Sequence, residues 1–152
     1  MAQFEIRTIP LQHTAVVHVR TTPKDISQAM GEAFPKAFAA VANAGVQPAG
    51  PPFTKYTFYS ESSVECETGV PVAGPFAGID DVVPGELGGC KAAVTMHVGP
   101  YDTIGATYGA LQGWMADQGH KPSAIMWEHY LSDPAAEPDS SKWQTEVIWP
   151  VG

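Results

Sequence analysis

The chain has 152 residues, 44% hydrophobic and 16% charged, a balance that excludes a disordered chain and gives enough length to bury a core. Sixteen Asp and Glu against eight Lys and Arg leave a formal charge of −8. That argues against direct nucleic-acid binding, which rests on clustered cations, and favours neutral or cationic ligands over anionic ones.

Phe4 to Ile9 alternates loosely and stops at Pro10, a short strand. Thr14 to Arg20 is β-branched and bounded by turn formers, a second strand. Ile26, Met30, Phe34, Ala37, Phe38 and Val41 recur at helical spacing, with Thr22 or Asp25 as cap and Gly45 as stop. Pro35 falls inside this pattern and removes a backbone donor, so the helix is expected to bend or split there. Phe53 to Ser60 and Val64 to Val70 read as a strand pair. Ala73 to Gly89 is rich in Gly, Pro and Asp and reads as a crossover with a short edge strand near Ile79 to Val83. Lys91 to Val98 is then a strand, and Ile104, Tyr108, Leu111 and Met115 form a helical stripe ending at Gly119, with Asp102 or Thr103 as cap. Ile125 to Leu131 and Thr145 to Trp149 are strands, joined by a polar loop from Asp133-Pro134 to Ser141.

The second half repeats the order of the first. Met30, Phe34, Ala37 and Val41 match Ile104, Tyr108, Leu111 and Met115. Gly45 and Pro48 match Gly119 and Pro122, Tyr56 matches Tyr130, and Pro71-Val72 matches Pro150-Val151. His18-Val19 is set against His97-Val98, which gives the first copy five extra residues before its helix and the two histidines a shared scaffold role. The expected fold is therefore α+β: two βαββ units with pseudo-two-fold symmetry, an antiparallel sheet with its helices on one face, and a ligand cleft between the units. Residues 1–152 form a single domain, with repeat 1 over 1–72, the crossover over 73–89 and repeat 2 over 90–152.

The copies disagree at one acidic residue. Phe53-Thr54-Lys55-Tyr56 in the first corresponds to Trp127-Glu128-His129-Tyr130 in the second. Strand alternation turns Met126, Glu128 and Tyr130 one way and Trp127, His129 and Leu131 the other. A carboxylate among aromatic groups can counter a cationic ligand or act as a general acid/base. Trp114, Trp127, Trp143, Trp149, Tyr56, Tyr101, Tyr108 and Tyr130 are an aromatic set, mostly in the second half, from which the walls of such a site could be drawn, each contact contributing roughly 0.5–2 kcal/mol; Trp143 and Trp149 could belong to the site or to the core. Tyr108, on the helical stripe, is assigned to the core. The five histidines form no close metal-ligating pair, so neither a metal nor another cofactor is expected. Cys66 and Cys90 are too few and too far apart for a disulfide scaffold and read as reduced thiols. No apolar run approaches the roughly 18 residues of a membrane span and no secretory signal is visible, so a cytoplasmic address without a membrane partner is expected.

Several runs carry a resemblance: Val98-Gly99-Pro100-Tyr101-Asp102-Thr103, Gly119-His120-Lys121-Pro122, Trp127-Glu128-His129-Tyr130-Leu131-Ser132-Asp133-Pro134, and the closing Pro150-Val151. Together they resemble the GyrI-like small-molecule-binding family, which includes effector-binding domains of AraC- and MerR-type regulators. The resemblance implies two βαββ units, a cleft for hydrophobic and often cationic compounds, and a central glutamate at Glu128. It also implies aromatic lining residues at Tyr56, Trp127, Tyr130, Trp143 and Trp149. No helix-turn-helix segment precedes the domain in this sequence, so a regulator role would need a separate partner. The expected function is stand-alone binding or sequestration of drug- or toxin-like molecules. The alternative that the resemblance implies is a hydrolase similar to those that open cyclopropane rings of DNA-alkylating natural products. Glu128 would then activate water and Tyr130 would polarise the leaving oxygen. A second alternative is a protein partner, in the manner of gyrase inhibitors.

Overall fold

A computed structural model of the chain describes residues 3–133 and 136–151. Pro134, in the expected polar loop, lies outside the described residues. Its elements are β1 (Glu5–Ile9), β2 (Gln12–Thr21), α1 (Ile26–Ala44), β3 (Phe53–Tyr59), β4 (Val64–Val72), β5 (Val82–Leu87), β6 (Cys90–Val98), α2 (Ile104–Asp117), β7 (Met126–Tyr130) and β8 (Gln144–Pro150). The fold class is α+β, two copies of one βαββ arrangement. No helix among the described residues is long and apolar enough to cross a membrane.

The chain divides into two compact units, Pro10–Gly89 and the remainder. In the Pro10–Gly89 unit the strands run in the order β5-β2-β4-β3, all antiparallel. Helix α1 buries Ala33, Ala37, Ala40 and Val41 against Ala15, Val17, Val70, Val72, Phe76 and Val82. In the other unit the order is β1-β6-β8-β7, again antiparallel, and α2 buries Leu111 and Met115. The edge strands are exchanged. Strand β1 leads into β2 but pairs with β6, and β5 leads into β6 but pairs with β2. The crossover thus contributes a full strand, longer than the short edge expected near Ile79 to Val83.

Internal hydrogen bonds fix the correspondence of the copies. Val46 donates to the Val41 carbonyl and His120 donates to the Met115 carbonyl, so both helices end in the same wrapped-back turn, with Gly45 and Gly119 at positive φ. The expected helical matches follow from this registration, Phe34 with Tyr108 among them. Pro48 bridges Val72 as Pro122 bridges Val151. Thr54 pairs with Thr68 and Glu128 with Val147, so the Thr54–Glu128 mismatch is one between equivalent positions.

The histidine match is one residue out. Thr68 pairs with Val17, and its counterpart Val147 pairs with Thr95. Val17 therefore corresponds to Thr95, His18 to Met96, and Val19 to His97. A one-residue slip turns a strand side chain to the other face, and the burial agrees: His18 is exposed and His97 is buried. The first copy accordingly carries four extra residues before its helix rather than five.

Two local expectations also change. Helix α1 is one helix through Pro35 and does not split there. Both Pro35 and Gly31, the residue whose carbonyl loses its partner, lie on the exposed side, where water can take the bond. Asp25 and Thr103 occupy the cap positions, but neither side chain caps its helix; Thr103 Oγ1 instead donates to the Pro100 carbonyl at 2.9 Å. At Gly69, where β2 and β4 close together, a Cβ would lie 1.9 Å from the Ala15 carbonyl oxygen, so only glycine fits.

Candidate functional site

Residues directly opposite each other on paired strands share a face. Glu128 lies opposite Val147, Tyr130 opposite Thr145, and Thr145 opposite His97. These side chains, with Trp149 two residues beyond Val147, stand on the face of the sheet that carries α2. Glu128 is only 4% exposed. Its Oε1 accepts a hydrogen bond from the Tyr130 hydroxyl at 2.8 Å, and its Oε2 accepts one from the Tyr108 hydroxyl on α2. Two phenols thus supply donors to a carboxylate that burial has removed from water.

Aromatic rings surround this centre. Tyr101, in the 3-10 turn before α2, meets Tyr130 edge-on with centroids 5.6 Å apart and lies 5.1 Å from Trp143 at 34°. Trp149 meets Tyr108 edge-on at 6.2 Å. Both indoles are held from outside: Trp143 Nε1 donates to the Glu137 carbonyl at 2.7 Å and Trp149 Nε1 to the Ser123 carbonyl at 2.8 Å. Those bonds fix the ring planes and leave the π faces for packing. Tyr101 is 39% exposed. Its phenol is pushed above the ordinary tyrosine value, first by burial and then by the negative charges of Glu128 and Asp133.

The residues expected from the sequence are therefore sorted by the fold. Glu128, Tyr130, Tyr101, Trp143 and Trp149 form one connected group, with Tyr108 joining Trp149 to the rest. Trp127 alternates to the opposite face and is 3% exposed, and its indole N–H has no hydrogen-bond partner among the described residues. Tyr56 is on β3 in the Pro10–Gly89 unit, half-buried, with its ring edge-on to Tyr59 at 6.4 Å.

Tyr108 corrects its assignment to the core: it is half-buried and bonded to Glu128. Spacing places it on the buried stripe, and spacing carries no information about its hydroxyl. The signal was its counterpart Phe34, a phenyl where the second copy has a phenol. The same position in the first copy is neutral throughout. Thr54 is fully buried and bonds to Thr68 Oγ1 at 3.3 Å and Met30 Sδ at 3.7 Å. Among the described residues no group of three or more His, Cys, Asp and Glu side chains is placed to hold a metal.

Comparison with known proteins gives the following. Residues 2–152 match the family described as GyrI-like small molecule binding domain. No curated protein sequence matches significantly. Among solved structures, the EcmrR C-terminal domain superposes with a TM-score of 0.85 at 22% identity, covering 100% of this chain and 98% of that one. EcmrR in complex with DNA gives 0.86 at 23% identity, covering 99% of this chain, which spans 57% of the EcmrR chain. SAV2435 bound to tetraphenylphosphonium gives 0.67 at 11% identity, covering 99% of this chain and 94% of that one. At these identities the likeness is one of fold.

Proposed function

We propose a ligand for the Glu128 site from one premise: the chain belongs to the GyrI-like small molecule binding domain family. The ligand is a hydrophobic, aromatic compound carrying a delocalised positive charge, and the protein acts by binding or sequestering it. The observation that carries this reading is the buried Glu128 carboxylate held by two phenols beneath Tyr101, Trp143 and Trp149. A bulky organic cation loses little hydration on entering such a site, and it gains both a counter-charge and aromatic faces. That SAV2435 binds tetraphenylphosphonium supports the choice of chemical class. The roles expected of Trp127 and Tyr56 remain part of the proposal. Trp127 would back the site through the sheet, and Tyr56 would add an aromatic contact.

The test is titration of the chain with tetraphenylphosphonium and with neutral triphenylphosphine oxide, followed by tryptophan fluorescence. Trp143 and Trp149 should be quenched by the cation at far lower concentration than by the neutral compound. Equal potency, or no quenching by either, would reject the reading. Tyr56→Ala and Trp127→Phe titrated beside the native chain decide whether those two residues contribute.

The Tyr130–Glu128 bond also suits a second reading, hydrolysis of a strained ring. Glu128 would take a proton from the water whose oxygen bonds to the ring carbon, the strained carbon–carbon bond would break with its electrons passing to a conjugated carbonyl oxygen of the substrate, and Tyr130 would protonate that oxygen and recover its proton from Glu128. Incubation with a cyclopropane-bearing alkylator and mass spectrometry for a water adduct decides it. No adduct, or one formed equally by Glu128→Ala, removes this reading for that substrate.

A further inference from the structure

We propose that His97 is a positioning residue for the Glu128 site, fixing together the turn that presents Tyr101 and the start of the helix that presents Tyr108. The inference rests on the reading of that site as the ligand site. His97 stands near the end of β6 and is 5% exposed. Its Nε2 lies 2.9 Å from the Pro100 carbonyl, which can only accept, so Nε2 carries the proton and donates. In the neutral ring Nδ1 then accepts from the Thr107 hydroxyl at 2.6 Å. Thr103 Oγ1 donates to the same Pro100 carbonyl at 2.9 Å and sits 3.3 Å from Nε2. One imidazole therefore ties the strand end to the residue before Tyr101 and to the residue before Tyr108. A second clamp closes the far side, where Gly99 N–H donates to the Trp143 carbonyl at 2.8 Å. The turn, its tyrosine and the tryptophan facing that tyrosine are thus held as one piece.

The first copy shows that the fold itself does not need this latch. There the strand position of His97 is filled by Val19 and the helix position of Thr107 by Ala33, so neither half of the bond exists. The strand and helix still pack, through Ala33 and Val19 among others. The latch occurs only in the copy where Thr54 and Phe34 have become Glu128 and Tyr108. Three apolar residues, Val19, Ala33 and Phe34, are replaced by His97, Thr107 and Tyr108, and the neutral Thr54 by the acidic Glu128; the meeting of these changes around one carboxylate points to the site and not to the scaffold.

The experiment uses the full chain with His97→Ala, His97→Gln and Thr107→Val, each alone and in a Tyr101→Ala background. Near-ultraviolet circular dichroism reads the Tyr101–Trp143 pair without ligand, and tetraphenylphosphonium titration reads affinity. His97→Ala should change the near-ultraviolet spectrum, leave the far-ultraviolet spectrum unchanged and weaken binding about 10-fold. His97→Gln, whose amide offers a donor and an acceptor, should recover to within about 3-fold of native. In the Tyr101→Ala background the further loss on His97→Ala should shrink to about 3-fold or less, because the two residues act as one. An unchanged near-ultraviolet spectrum, fully additive losses, or a Gln variant no better than Ala would overturn the proposal. Should His97→Ala fail to fold, Thr107→Val removes the same bond from the helix side and is judged by the same criteria. A native chain that does not bind the cation rejects the ligand reading, while the ligand-independent spectrum still decides the positioning role.

Discussion

Replacing Tyr108 by Phe tests whether the buried carboxylate depends on its phenol donors. The substitution deletes one hydroxyl and keeps the ring that meets Trp149 edge-on at 6.2 Å. What it removes is a hydrogen bond to a carboxylate that is 4% exposed, so bulk water cannot simply replace the donor. Charge-assisted bonds of this kind contribute about 1.5–3 kcal/mol. For a domain of this size each kcal/mol moves the melting temperature by about 2–4 °C, so the variant should melt about 3–12 °C lower in a thermal scan followed by circular dichroism. Cation affinity should move the other way or hold, since Oε2 is left with one donor fewer and more charge to offer a ligand. A melting temperature within about 1 °C of native would show that the carboxylate does not depend on this phenol, because a desolvated carboxylate cannot lose a needed donor without consequence. A parallel fall in stability and cation affinity would show instead that Tyr108 itself lines the ligand.

Other consequences can be checked directly. The phenol of Tyr101, taken as the difference between native and Tyr101→Phe in tyrosinate absorbance, should titrate above the ordinary tyrosine value, and Glu128→Gln should bring it part of the way back; titration at the ordinary value in the native chain would contradict the geometry. Because the folded value is raised, the associated stability is fully present below about pH 10 and is lost as pH rises through the folded value, so the alkaline limb of thermal stability should begin later in Tyr101→Phe. Gly69→Ala forces a Cβ against the Ala15 backbone and should destabilise by about 3 kcal/mol or prevent folding, whereas Gly74→Ala, which meets open space, should stay within about 0.5 kcal/mol by urea unfolding.

Much of the fold was legible because its signals are local. Strand alternation, helical spacing and the Gly45 and Gly119 stops give the elements and their duplication, and the Thr54–Glu128 mismatch singles out the carboxylate on which the proposed site rests. What escaped depends on partners distant in sequence. The exchange of β1 and β5 is a choice of pairing partner, which no alternation pattern encodes. The histidine match failed because identical residues were aligned where strand registration differs by one, and a single step in a strand reverses the side-chain direction. Tyr108 was lost to the core because periodicity reports a helix face and not what a hydroxyl at its edge can reach. The direction of Trp127, by contrast, was legible: strand alternation already sends it to the face opposite Glu128.

Glu128 is proposed to serve as counter-charge to a cationic ligand. For an organic cation whose charge centre sits about 6 Å from the carboxylate, at an effective dielectric near 20, the attraction is about 2.8 kcal/mol, or about 100-fold in affinity. Isothermal titration of native chain and Glu128→Gln with tetraphenylphosphonium and with triphenylphosphine oxide measures this directly. A counter-charge role requires a loss of about 100-fold for the cation and about 3-fold or less for the neutral compound. Equal losses for both would contradict it.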